Sequence, residues 1–252
     1  MIHGWLKRRC SALLLACPFF AVSAELSVLL PEQSVRLEYS QPTRLETVLR
    51  DTHSQALKNR TSLDSVQAQL FSLSKQSIIE NQVDELVKKL ESLQQQEPEI
   101  GANYLLEQIQ QFSFKYREFT SLDYDVVQSQ HEGNPLLTGN YELNIGPRNN
   151  QVIFMGAINK IEETPHRAQW FLADYFKSMG HIRLKSASES IAWVIQPDGN
   201  IQQTDYGLWN FKPHFIAPGA IVYVPTKSLP SEFESLNKDY VELLRHKVKN
   251  NE

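Results

Sequence analysis

Two stretches of this chain carry the same order of elements, and a duplication of that kind limits the fold more than any single motif. In the later stretch Ile191, Trp193 and Ile195 alternate with Ala192, Val194 and Gln196, and Pro197, Asp198, Gly199 and Asn200 then supply a tight turn. A β-hairpin is expected, with Ile201 opening its second arm. Pro218 and Gly219 precede Ala220, Ile221, Val222, Tyr223 and Val224, an uncharged β-branched and aromatic run closed by Pro225, which predicts a buried strand. Earlier in the chain, LLTGNYELNIGP at 136–147 opens on a glycine, alternates through Tyr141, Leu143 and Ile145, and closes on a proline. Each stretch follows a strand and then a helix: SVRLEYSQPTRLETVLRD at 34–51, and QVIFMGAINK with PHRAQWFLADYF between 151 and 176. The expectation is an α+β chain of two related β-plus-helix units in series.

Residues 1–24 read as a secretory leader: Lys7, Arg8 and Arg9 precede an apolar run from Ala12 to Val22, and Val22, Ser23 and Ala24 fit a small-residue cleavage site. The run is shorter than the ~20 residues of a membrane span. A competing reading takes Leu14, Leu15, Ala16 and Cys17 as a lipoprotein box, with Cys17 lipidated; the apolar residues Pro18, Phe19 and Phe20 that follow speak against it. Both cysteines lie in the leader, so the mature chain would form no disulfide. Loss of the leader removes three cations from a chain with 25 Lys and Arg against 29 Asp and Glu, which leaves a net charge near −7. With no basic stripe outside the leader, nucleic acid is excluded as a partner.

In the mature chain, 26–39 reads as a strand and 65–73 as a second one, through Val66, Ala68 and Leu70. The period then becomes helical: Ile79, Val83, Leu86, Leu90 and Leu93, a break at Glu97 and Pro98, and a second stripe at Leu105, Ile109 and Phe112. This predicts a helical hairpin over about 75–112, inserted in the first unit because strand signals resume at 114–127. The first unit spans 25–147 and the second 148–228. A terminal amphipathic helix is expected over 229–252, with a capping box at Ser231 and Glu234, a stripe at Phe233, Leu236, Tyr240, Leu243, Leu244 and Val248, and Arg245, Lys247 and Lys249 placed to suit the helix dipole.

Catalytic and metal motifs are missing from the sequence. His53, His131, His166, His181, His214 and His246 stand singly, no HExxH or GxSxG occurs, and Gly133, Gly139, Gly146 and Gly156 are isolated rather than grouped in a phosphate loop. Asp123 and Asp125 would share one strand face, but paired glycosidase carboxylates act across a substrate from separate elements. Three residues are candidates for binding. Arg117, among the aromatic neighbours of FKYREF, reads first as an ordinary edge-strand arginine, with the grip of a carboxylate or phosphate in a partly apolar cleft as the functional alternative. Trp209 sits in the polar link YGLWNFKPHF and is the tryptophan least expected to be core. Arg148, beside Gly146 and Pro147 at the junction of the units, reads as an interdomain hydrogen-bonding residue.

The blocks NPLLTGNYELNIGPR at 134–148, IAWVIQPDGNIQQTDYGLWN at 191–210 and PGAIVYVP at 218–225 resemble the GfcC family of capsule and exopolysaccharide biosynthesis proteins. The resemblance covers most of the mature chain and is weak over 52–112. It implies a periplasmic, non-catalytic protein of two β-grasp (ubiquitin-like, SLBB-like) domains, similar to the periplasmic domains of outer-membrane polysaccharide export channels. Its implied partners are the polysaccharide export machinery, an outer-membrane export channel or associated lipoproteins, and the polysaccharide itself. No cofactor, metal or catalytic residue comes with it. The alternative activity is a polysaccharide-modifying or cleaving enzyme using acids near Asp123 or Glu142.

Overall fold

A computed structural model describes residues 25–207, 209 and 212–249. The expected leader and the Cys17 alternative lie outside the described residues. The first half contains β1 (Leu26–Leu30), β2 (Val35–Tyr39), β3 (Thr43–Arg44), α1 (Leu45–Asn59), β4 (Gln69–Ser72), α2 (Gln76–Gln96), α3 (Ala102–Ile109), β5 (Arg117–Glu118), α4 (Tyr124–Ser129), β6 (Leu136–Leu137) and β7 (Gly139–Asn144). The second half contains β8 (Gln151–Gly156), β9 (Glu162–Pro165), α5 (Leu172–Met179), β10 (Ile191–Ile195), β11 (Ile201–Asp205), β12 (Ile221–Val224) and α6 (Leu236–Leu244).

The strands form two five-stranded sheets, β2-β1-β7-β4-β5 and β11-β10-β12-β8-β9, beside a small β3-β6 pair. Counted from the start of each half, with the β3-β6 pair set aside, both sheets run 2-1-5-3-4. In both, the first and last strands are parallel neighbours at the centre, β1 with β7 and β8 with β12, and the remaining pairs are antiparallel. A helix follows the second strand in each half, α1 in one and α5 in the other. The repeated order of elements in the sequence therefore corresponds to a repeated topology.

Alternation explains which side chains go where. In β12, Val222 and Val224 join the core under α5, and Ile221 and Tyr223 point to the other face and join a core with α2, α3 and α6. In β8, Val152 and Phe154 face α5, and Met155 with Ile153 faces the helices. The second sheet is thus covered on both sides, which is why its central strands read as continuous apolar runs. A separate core joins β1, β4 and β7 to α1. In the chain α2 and α3 lie between two strands of the first sheet, but Ile79, Leu86, Leu90, Leu93, Leu105 and Ile109 pack in the core built on the second sheet. The Gln108 side chain holds that contact by accepting from the Gly156 N–H (2.7 Å) and donating to the Gly156 and Ile158 carbonyls (3.0 and 3.2 Å).

Five local expectations are corrected. The 26–39 segment is two antiparallel strands, because the chain reverses through a 3-10 turn at Pro31–Gln33 closed by Ser34 at φ 53°. The 65–73 strand shrinks to β4, with Val66 56% exposed outside it. Strand signals over 114–127 yield the two residues of β5 and then α4, since the Asp123 side chain accepts from the Asp125 and Val126 N–H groups and starts a helix. Ser231 and Glu234 form no capping box: Ser231–Phe233 is a 3-10 turn without a side-chain cap, and α6 begins at Leu236. The predicted helix over 229–252 ends at Leu244, after which the chain extends and Lys247 bridges to Phe114.

Candidate functional site

The two halves meet around a cleft of about 660 Å³. Its walls come from the β1–β2 turn (Glu32), the approach to β4 and its first residue (Gln67, Gln69), β5 (Arg117), the 147–150 link, the second sheet (Gln151, Ile153, Glu163, Ile195, Ile221) and the segment after α6 (Arg245, Lys247, Lys249). Two buried glutamines hold these walls together. Gln67 donates to the carbonyls of Asn149 and Pro218 (both 2.8 Å) and accepts from the Asn149 N–H (2.7 Å). Gln69 donates to the Lys247 carbonyl (2.9 Å) and accepts from the Lys249 N–H (2.9 Å). Each side-chain amide behaves like a short piece of backbone, satisfying donors and acceptors that no sheet supplies.

Five cations line the cleft against two acids, Glu32 and Glu163. Arg117 is 6% exposed. One of its terminal nitrogens donates to Ala68 O (3.1 Å) in its own half and to Pro197 O (2.6 Å) in the other. Burial pushes its guanidinium down to about 10, with Asp198 opposing and Arg245 adding to the fall. Its backbone N–H donates to His246 Nδ1 (3.0 Å), which leaves the imidazole proton on Nε2. Burial, aided by the Arg245 charge, lowers His246 to about 4, so the ring is neutral. Lys247 is 5% exposed, and burial lowers its ammonium to about 8, with Glu163 opposing. Among the described residues neither Arg117 nor Lys247 has a carboxylate at ion-pairing distance. Arg245 donates to Gly199 O (2.8 Å) and lies 4.0 Å over the Phe119 ring; Lys249 donates to Pro147 O (2.9 Å). Burial also raises the Glu32 carboxyl, which the Lys249 charge partly offsets.

Of the three residues singled out in the sequence, the fold brings Arg117 and Arg148 to the same cleft. Arg148 is a half-exposed rim residue whose Nε lies 3.5 Å from Asp64. Trp209 does not line the cleft and is 84% exposed. Sequence reasoning missed Arg245, Lys247 and Lys249 as site residues, because they suit the dipole of a helix presumed to continue. The spacing of two between Lys247 and Lys249 was the available signal, since it places that pair on one side of an extended segment. The acids once weighed for catalysis have structural partners: Asp123 caps α4 and accepts from Ser65 (3.0 Å), and Glu142 pairs with Lys115 (2.7 and 2.6 Å). Among the described residues no helix is long and apolar enough to cross a membrane, and no three His, Cys, Asp or Glu side chains group as metal ligands.

Comparison with known proteins places both halves. The family profile "Capsule biosynthesis GfcC, N-terminal" matches residues 22–148, and "Capsule biosynthesis GfcC C-terminal" matches residues 160–249. The chain is similar to a protein of Escherichia coli (strain K12) described as "Uncharacterized protein YjbG", with 34% identity over 148 residues. That match spans 58% of this chain and 60% of the relative. Two profile matches in chain order, one over the first sheet and one over the second sheet from β9 onward, mean that this chain belongs to the GfcC family of capsule biosynthesis proteins.

Proposed function

We propose that this chain is a non-catalytic accessory protein of capsule or exopolysaccharide biosynthesis and export, working in the periplasm by binding the export machinery or its polymer. The observation that carries this reading is the cleft between the sheets. It gathers five cations and a ring of side-chain amides, the equipment of a binding site, and among the described residues that line it no nucleophile sits beside a base. The 2-1-5-3-4 sheets with a central parallel pair and one crossing helix support reading each half as a β-grasp unit of the ubiquitin-like, SLBB-like kind, with α2 and α3 as an inserted helical hairpin. Such units are assembly modules in outer-membrane export channels, which makes a channel or its associated lipoproteins the expected protein partner.

The test is deletion of the gene in a strain that makes a surface polysaccharide. Reduced or shortened polymer is expected, restored by the full chain and not by one lacking residues 2–24. Unchanged polymer sinks the proposal. Purified protein incubated with the same polymer should release no new reducing ends; their appearance would replace the accessory role with a catalytic one.

A further inference from the structure

The cleft holds charged groups of both signs whose hydrogen-bonding capacity the described residues use only in part. The Lys247 ammonium lies 4.4 Å from the Phe112 ring centre, with one long hydrogen bond to the neighbouring Val248 carbonyl (3.3 Å). Arg117 uses one terminal nitrogen on Ala68 and Pro197, and its Nε and other terminal nitrogen have no acceptor among the described residues. In the same cleft both carboxylate oxygens of Glu32 are buried without a donor among the described residues. Retaining a buried cation without a counter-ion is costly, and a bound anion relieves that cost. A ligand that suits this cleft carries an anionic group for the cations and hydroxyl groups for the exposed Glu163 carboxylate and Asn150 amide that line it.

We infer that the cleft between the two sheets is an anion site that holds carboxylate-bearing sugar units, uronic acids or close equivalents, of an acidic polysaccharide. This rests on the accessory role proposed above, which would bring polymer to the protein. A uronic acid offers the carboxylate and the hydroxyl donors on one ring. No aromatic side chain of the described residues lines the cleft, so the stacking that holds neutral sugars is absent and recognition runs through charge and hydrogen bonds. The volume of about 660 Å³ falls inside the roughly 300–1,000 Å³ of small-ligand sites and suits a short oligosaccharide segment.

The test is calorimetric titration of the mature chain with oligogalacturonate, its neutral methyl ester and an oligoglutamate of equal charge. The acid sugar is expected to bind, more weakly as salt rises, with the ester and the oligoglutamate each weaker by about tenfold or more. Lys247→Met removes a buried charge without removing bulk, and Arg148→Ala alters the exposed rim. Each should weaken the acid sugar while thermal melts show the fold intact, and Lys58→Ala, outside the cleft, should not. No binding, equal binding of the ester, equal binding of the oligoglutamate, or full affinity in both cleft variants overturns the inference. Failure here together with a polysaccharide defect in the deletion strain would leave the accessory role standing. Binding retained without any defect would remove that role and keep the site.

Discussion

At the scale of single residues, the junction is held by side chains that stand in for backbone. Gln67, Gln69 and Gln108 each donate and accept across a junction where no strand pairing continues. His246 accepts the Arg117 backbone N–H with one ring nitrogen, and this buried setting makes it pH-sensitive. Its folded value of about 4 lies below the ~6.5 of an unfolded histidine, so between those values the unfolded chain binds the proton and the folded chain does not. Stability is therefore unaffected by this residue above pH 6.5 and falls as pH drops from 6.5 towards 4; His214, lowered by burial, adds in the same direction. Urea denaturation from pH 7 to 5 should show this fall. His246→Asn, which keeps an acceptor for the Arg117 N–H, should flatten it; an unchanged slope would assign the proton to another group. Arg117 and Arg148 were legible because an arginine among aromatics and one beside a Gly-Pro junction are unusual settings. Lys247 was not, since its spacing of two from Lys249 is informative only once the helix has ended, and no glycine or proline marks that end.

At the scale of elements, the α2 and α3 helices have an apolar stripe that had to be covered, and the cover is the second sheet rather than the first. Leu90, fully buried in that core, tests the relation. Leu90→Ala should cost about 2–5 kcal/mol, read as a lowered urea midpoint, and the loss should appear in the same transition that reports on the second sheet. A separate earlier transition confined to the helices would contradict this packing. The stripe, its break at Pro98 and the charge-free runs of β8 and β12 were all readable from spacing. The mistaken strand over 114–127 has a local cause: the Asp123 side chain captures two N–H groups and nucleates α4 where alternation favoured a strand. The terminal helix stops at Leu244 for a tertiary reason, because Lys247 and Lys249 extend to meet Phe114 and Gln69.

At the scale of the whole molecule, the two similar sheets are not independent bodies. The insertion carried by the first half covers the second sheet, and Gln67, Gln69 and Arg117 reach across the junction. Residues 149–249 expressed alone keep α6 but should lose the α2 and α3 part of the cover over Ile153, Met155, Ile195, Ile221 and Tyr223. That fragment is expected to bind a hydrophobic dye or aggregate, whereas the full chain unfolds in one transition. A monomeric, dye-silent fragment with a sharp melt would show that the second half needs no help.

The sequence by itself determined the periods, the breaks and the duplicated order of elements, because each depends on neighbours two to four positions away and on the turn chemistry of glycine, proline and aspartate. The tertiary structure decided which sheet the inserted helices cover and where the cleft lies. Its walls come from the two ends of the described chain and from the junction between the halves, from Glu32 to Arg117, Arg148 and Lys247. The burial that gives those charges their properties exists only once distant segments have packed around them.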